Sequence, residues 1–424
     1  MQRLASLIII LFFIINNNKA DSEPVADTIS LSLQQAEDLF LKNNYTLLAA
    51  KYQINEAEAE IVQAKLWDNP SFNIDKEAYN RPSGKWFVIP GGEYAISAQQ
   101  LIYLAGKRDK RINIAKYSSH ISQYQFYDLV RTLKYELRSG FYELYFLRQS
   151  LSTYEREIKA IRSVVIAYTN EYQKGNIPFR EVARLQALQF SLENEKISLL
   201  KNVSERQNDL VMLTGDSLSR HIQPVLDLAS LEELNPSLIN LSQAISQGIA
   251  NRSDLKIAEA QIQSEQTNLG LQKAMRIPDI SLGANYDRVG GYIPDYNSVS
   301  LSFNLPLWNQ NQGNIRMSKN RIEEMKVIKN QKELEVKSEI TKDYIQLMEI
   351  DSLYKSSPQK FDNNYEKLFD GIAAAYQNHS ISLLEFIDYY ETYKNSKTGF
   401  YNLQNNRLEA MEDLNMASGT IIIK

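Results

Sequence analysis

Side chains able to do covalent chemistry are scarce in this 424-residue chain. It has no cysteine, so no disulfide, thiolate metal ligand, cysteine nucleophile or amino-terminal lipid anchor on cysteine is expected. Its three histidines, His120, His221 and His379, fall on separate elements, whereas a metal site needs clustered ligands. Each reads as a surface or packing residue, and neither a metal site nor a cofactor is expected. There is no GxxxxGKS/T phosphate loop, hence no sign of an ATPase, and no grouping of residues that marks an enzyme. What remains is charge at helical spacing. Glu385 and Asp388, three residues apart, lie on one helical face, and Glu181 and Arg184 repeat that spacing earlier in the chain. Carboxylates so placed attract cations; ordinary solvated helix charges give the same pattern.

The elements that position these charges come in two copies. At an offset of 208, Leu33, Gln35, Ala36, Leu47, Ala50, Gln53 and Ile54 meet Leu241, Gln243, Ala244, Leu255, Ala258, Gln261 and Ile262. At an offset of 204, Tyr172, Ile177, Glu181, Asp209, Leu210, Met212 and Gly215 meet Tyr376, Ile381, Glu385, Asp413, Leu414, Met416 and Gly419. Each copy reads as a medium helix, two strands, a very long helix, a short turn and a medium helix. In the first these fall at 31–67, 70–79 with 93–103, 107–173, 174–178 and 179–214; in the second at 239–275, 278–288 with 297–307, 313–376, 377–382 and 383–418. The chain thus divides into residues 21–215, a connector 216–238 holding Pro224 and Pro236, residues 239–419, and a tail 420–424.

Residues 1–20 read as a secretory signal peptide: Arg3 supplies charge, Leu4 to Ile15 an apolar core too short to span a bilayer, and Ala20 a cleavage point. No later stretch offers a conventional membrane helix. Lysine and arginine (47) nearly balance aspartate and glutamate (51), so no polybasic surface for nucleic acid is indicated. Glycine (16) and proline (11) are few, which favours long helices.

In the first long helix Val130, Leu133, Leu137, Gly140, Leu144, Leu147, Leu151, Tyr154, Ile158, Ile161, Val165, Tyr168 and Tyr172 keep spacings of three and four, a left-handed coiled-coil seam. Phe141 and Tyr145 lie off it and predict a second contact face. In the second copy the seam runs through Val336, Ile340, Leu347, Ile350 and Tyr354, interrupted by Asp343, and Pro358 predicts a kink. At 1.5 Å per residue the first helix reaches roughly 100 Å, and two medium helices end to end cover about the same distance.

The strands alternate strictly. Ile280, Leu282, Ala284 and Tyr286 alternate with Ser281, Gly283, Asn285 and Asp287, and Val299, Leu301, Phe303, Leu305 and Leu307 with serines, Asn304 and Pro306. A lipid-facing strand of a membrane barrel has this pattern, and so does a half-exposed sheet on a soluble domain. Four strands cannot close a barrel alone, because lipid leaves no partner for an open edge. If these strands cross a membrane, several copies must share one barrel. The rival reading is a structural or adaptor coiled-coil protein of the periplasm carrying a small soluble sheet.

The pattern resembles the TolC-like outer membrane efflux channel family over nearly all of the chain after residue 20. The residues that carry the resemblance are the helix-to-strand junctions DNP (Asp68–Pro70) and IPD (Ile277–Asp279), the turns YQKGNIPFREV (Tyr172–Val182) and YQNHSISLLEFID (Tyr376–Asp388), and the copy endings MLTG and MASG. The segment SLSFNLPLWNQNQGNI (Ser300–Ile315) resembles the heavy-metal branch, which serves cobalt-zinc-cadmium and copper-silver exporters. The resemblance implies a homotrimer in the bacterial outer membrane, mainly α with a β membrane part: long coiled-coil helices forming a periplasmic α-barrel, and a shared twelve-strand β-barrel with four strands per chain. It implies a passive channel coupled through a periplasmic adaptor (membrane fusion) protein to a proton-driven inner-membrane pump of the RND type. By the same resemblance Gly175, Asn176, Ile177 and Pro178, with His379, Ser380, Ile381 and Ser382, form helix tips where the adaptor docks. Glu385 and Asp388 align with the acidic ring of the constricted entrance, and Glu181 and Arg184 occupy the matching places of the first copy, with Arg184 able to pair with a carboxylate. The family's basic residue four places before the first acid is Ile381 here. Many heavy-metal members carry a lipidated cysteine that this chain lacks.

Overall fold

The computed structural model describes residues 28–89, 91–216, 220–289, 293–357, 371–372, 374–376, 378 and 380–423. Its elements in chain order are β1 (Thr28–Ser32), α1 (Leu33–Asn43), α2 (Tyr45–Lys65), β2 (Ser71–Lys76), β3 (Tyr79–Asn80), β4 (Lys85–Trp86), β5 (Tyr94–Ile102), α3 (Lys107–Gln173), α4 (Phe179–Thr214), β6 (His221–Val225), α5 (Leu228–Glu232), a 3-10 turn Pro236–Leu238, α6 (Leu241–Asn251), α7 (Ser253–Ala274), β7 (Ile280–Asp287), β8 (Tyr296–Phe303), α8 (Gln312–Ser356) and α9 (Leu383–Ser418). The proposed signal peptide, Pro358 and His379 lie outside the described residues. Contacts divide the chain into two units: 1–45, 133–237 and 346–412 form the first, and 46–132, 238–345 and 413–424 the second.

The second unit holds an antiparallel sheet of order β2-β5-β7-β8. Its register puts Phe72 opposite Ala98, Ile74 opposite Ile96, Ile96 opposite Tyr286, Ala284 opposite Val299 and Leu282 opposite Leu301. One face is therefore apolar. The other carries Asn73, Ser97, Gln99, Ser281, Asn285, Ser298 and Ser300. Among the described residues nothing covers the apolar face, with Val299 85 % and Phe72 66 % exposed. Gly283 belongs to the polar face because a Cβ there would meet Ser300 Oγ at 2.5 Å. The strands are shorter than their alternating patterns, and the turn-rich segment after β2 folds as a small hairpin, β3 with β4, in which Tyr79 packs on Trp86.

The passage from helix to strand is fixed by two aspartates. Asp279 Oδ1 accepts from Leu104 N–H (3.0 Å) and from Lys107 Nζ (2.8 Å), and the same ammonium donates to Ile277 C=O (2.6 Å). In the first copy Asp68 accepts from Tyr103 O–H through its carboxylate and from Gln100 through its carbonyl. Lys107 is 4 % exposed, so its charge has no water to fall back on.

The repeat extends to the helix breaks. The expected medium helix 31–67 is two helices, since Asn44 turns extended and its side-chain amide donates to Leu213 C=O (2.9 Å). In the second copy the break between α6 and α7 falls at Arg252, 208 positions later, whose guanidinium donates to Ala417 C=O (3.1 Å) and pairs with Asp254 and Glu339. Gly215 and Gly419 close the two copies in the left-handed region, φ +63° and +66°, and a Cβ on Gly215 would lie 2.5 Å from Asn43 C=O.

The first unit holds a parallel pair, β1 with β6, that pattern reading missed because five residues with Pro224 in the middle show no clear alternation. Ile222 is buried beneath it. Glu37 of α1 sits between Lys134 (2.8 Å) and Arg138 (2.9 Å), and Arg138 also reaches Glu412 (2.7 Å). Arg407 staples the connector down: buried, paired with Asp351 (2.8 Å) and stacked over Tyr354, it donates to Leu231 and Leu234 C=O. The seam of α3 is buried at Leu137, Leu144, Ile158 and Ile161, and Phe141 of the second face is also fully buried. In α8 Val336, Ile340, Leu347 and Tyr354 are buried, and Asp343, buried in the same seam beside Lys342, has its pKa raised by burial.

Asp279→Ala strands the Lys107 ammonium and is expected to cost about 3 kcal/mol. Lys107→Met combined with Asp279→Leu is expected to cost less. Thermal unfolding of the two variants in detergent, followed by circular dichroism, checks the order.

Candidate channel entrance

The residues with functional expectations gather at one end of the first unit. Its core there is built by α3 (Ile158, Ile161, Val164, Val165, Tyr168), α4 (Val182, Leu185, Leu192), Tyr376, and α9 (Phe386, Tyr390, Tyr393). Aromatic rings dominate it. Tyr168 stacks on Tyr376 at 4.8 Å and 8°, Tyr376 on Phe386 at 4.5 Å and 13°, and Phe386 leans on Tyr390 at 5.7 Å. Near-parallel rings this close add a specific contact to the area they bury. Burial pushes the hydroxyls of Tyr168, Tyr376 and Tyr390 above the ordinary phenol range, so the column stays neutral at physiological pH.

Both turns dock on this core, through Ile177 from one side and Ile381 and Leu383 from the other. In the first turn Gly175 takes φ +78° with nothing within 4 Å of the position a Cβ would occupy, an open tip that tolerates a left-handed residue. Glu171 holds the loop, accepting from Lys174 Nζ (2.8 Å) and from the Asn176 side-chain amide and backbone. Pro178 is the extended cap before α4. In the second turn Ser380 N–H donates to Ala375 C=O. Ser382 and Glu385 form a reciprocal box: Ser382 N–H donates to the Glu385 carboxylate (2.8 Å) and Glu385 N–H to Ser382 Oγ (3.2 Å). Those bonds from the Ser382 backbone and hydroxyl hold the Glu385 carboxyl below its usual range.

Glu385 is therefore a helix cap as well as an exposed charge, a role that S-x-x-E spacing already signals. Asp388, one turn on, is exposed, Glu181 is half-buried and Arg184 exposed. Within one chain Arg184 makes no ion pair with Glu181, Glu385 or Asp388. The aromatic column went unread because its rings come from three segments distant in sequence. The repeat does not reveal it either, since Tyr376 matches Tyr172 in the duplicated plan, whereas its stacking partner is Tyr168.

Long paired helices, a sheet with one bare apolar face and two open edges among the described residues, and two acid-bearing tips are the features of a membrane-channel class of protein. The chain belongs to the outer membrane efflux protein family, whose model matches residues 37–216 and again 244–420, one match on each copy. It is similar to the cobalt-zinc-cadmium resistance protein CzcC of Cupriavidus metallidurans, 22 % identical over 292 residues, 67 % of this chain and 65 % of that protein; the match thus spans just under two thirds of the relative's length. In fold it resembles the CmeC outer membrane channel of Campylobacter jejuni (TM-score 0.74, 17 % identity, 91 % of this chain and 85 % of that one). It also resembles CusC (0.72, 16 %, 92 % of each) and VceC of Vibrio cholerae (0.71, 16 %, 92 % and 96 %). Membership of this family removes the soluble coiled-coil reading and puts the protein in the outer membrane.

Phe386→Ala empties the middle of the ring column and is expected to destabilise the tip by about 3–5 kcal/mol. Limited trypsin digestion reads this as faster cleavage after Lys174 or Arg180, with Phe386→Leu intermediate.

Proposed function

We propose that this protein is the exit duct of a tripartite efflux system, passively conducting substrates, metal cations foremost, from the periplasm to the exterior. The observation that carries the reading is the four-stranded sheet, which among the described residues is apolar and bare on one face and unpaired along β2 and β8. In hydrocarbon each unpaired backbone group costs several kcal/mol. The sheet is stable there only when its edges meet those of identical copies. Three chains supply twelve strands, a size at which a barrel encloses a water-filled lumen. The polar face of serines, Asn73, Asn285 and Gln99 then lines that lumen.

The helices carry the duct into the periplasm, where the tips Gly175–Pro178 and His379–Ser382 meet a periplasmic adaptor and, through it, a proton-driven inner-membrane pump. Glu385 and Asp388, repeated in three copies, ring the entrance with six carboxylates that concentrate cations and repel one another; Glu181 and Arg184 flank them. The similarity to CzcC and the SLSFNLPLWNQNQGNI segment favour metal cations as cargo. The cargo passes without a dedicated ligand site.

Planar-bilayer recording of the purified channel tests the entrance. Glu385→Ala with Asp388→Ala is expected to weaken cation preference and block by divalent cations; unchanged selectivity removes both residues from the role. The sign with pH follows from the Ser382 bonds. Because they lower the Glu385 pKa, its share of the cation preference persists as pH falls through the ordinary carboxylate range and is lost only below it.

A further inference from the structure

Above the entrance lies a charge that neither the fold nor the tips use. Glu157 of α3 is 1 % exposed, and neither of its carboxylate oxygens has a hydrogen-bond partner among the described residues. An ionised carboxylate so placed is strongly unfavourable. Cationic side chains are close at hand, but they are engaged elsewhere. From α9, Lys394 is 8 % exposed and gives its ammonium to Glu195 of α4 (2.7 Å), which also accepts from Tyr154 O–H (2.9 Å). Lys397, 6 % exposed, donates to Tyr393 O–H (3.3 Å) and lies over that ring. Arg156 on α3 and the buried Tyr390 on α9 are further ionisable neighbours among the described residues. Burial outweighs the pull of Lys394, Lys397 and Arg156, and pushes the Glu157 carboxyl up to about 8.

We propose that Glu157 is a proton-held latch of the entrance: protonated, it lets α3, α4 and α9 pack dry as seen here; ionised, it draws α9 out of that packing toward an open state. The lysines are the means. An anionic Glu157 competes with Glu195 and Tyr393 for ammonium groups carried on α9. The same helix bears Glu385 and Asp388, 9 and 6 residues before Lys394, so its shift moves the entrance carboxylates with it. The closed packing holds one proton more per chain than a state in which water reaches Glu157 and restores an ordinary carboxylate. Closure is thus fully stabilised below the ordinary carboxylate range. It weakens by tenfold per pH unit as pH rises from there to about 8, and is constant above. Acid shuts the entrance and alkali frees it. The inference rests on the duct reading above and adds a control to its gate.

The test is open probability of the intact channel in planar bilayers between pH 6 and 8.5. Wild type is expected to open progressively, by up to about tenfold per pH unit for each chain that takes part, and to level off near pH 8. Glu157→Gln, which keeps the shape of the protonated acid, is expected to be flat and mostly shut. Lys397→Met, which withdraws a charge that favours ionisation, is expected to move the levelling point to higher pH. A Glu157→Gln channel with the wild-type pH response overturns the latch, as does a Lys397→Met channel with an unshifted profile. Should Glu157→Gln fail to assemble, the Lys397→Met profile decides alone. The two readings fail separately: Glu385→Ala with Asp388→Ala reports the entrance through selectivity, and Glu157→Gln reports the latch through the pH response.

Discussion

A backbone hydrogen bond that the chain cannot make by itself governs this protein. Strands β2 and β8 each present a row of N–H and C=O groups with no strand partner among the described residues, beside an apolar face that water does not favour. Either feature alone is tolerable. A bare edge in water is solvated, and an apolar face in lipid is at home. Together they require hydrocarbon on one side and a second copy at each edge. The rest of the structure supplies a sheet rigid enough to be shared and helices long enough to give it a use.

The junctions show how that rigidity arises. The switch from period 3.6 to period 2 happens within a few residues at DNP and IPD: α2 stops at Lys65 and α7 at Ala274, and the strands begin at Ser71 and Ile280, just past the prolines. The following or preceding aspartate then ties the strand to its neighbours, through the buried Lys107 in one copy and through Tyr103 and Gln100 in the other. The copies thus keep one geometry with different partners. The same holds at Asn44 and Arg252, which break their helices and cap a carbonyl of the last helix by an amide in one case and a guanidinium in the other. Duplication preserved the backbone bonds to be satisfied and left the side chains that satisfy them free to diverge.

This explains what was legible in the sequence. Seam periodicity marked α3, because burial between Leu137 and Tyr168 leaves a regular apolar trace, and strict alternation marked the strands, because one face meets lipid and the other water. The breaks at Asn44 and Arg252 were not legible, since a single polar residue inside two helical periods leaves the pattern on either side intact. The β1–β6 pair was missed because parallel pairing of distant five-residue segments has no local signature. Glu385 and Asp388 could be placed by spacing, but the ring column of Tyr168, Tyr376 and Phe386 could not, as it depends on how three separate segments meet. Glu157 was hidden for the opposite reason: a glutamate in a helix rich in charge looks solvated until its neighbours are known.

The central claim, that the sheet closes only through identical copies, can be tested with engineered cysteines, since the chain has none of its own. Asn73→Cys on β2 is combined in turn with Ser298→Cys, Ser300→Cys and Ser302→Cys on β8, all on the polar face, and outer membranes are oxidised before non-reducing electrophoresis. Edge-to-edge closure predicts, for the pair in register, a covalent ladder that stops at three chains. A monomer band for every pair, or a ladder running beyond three, would contradict it.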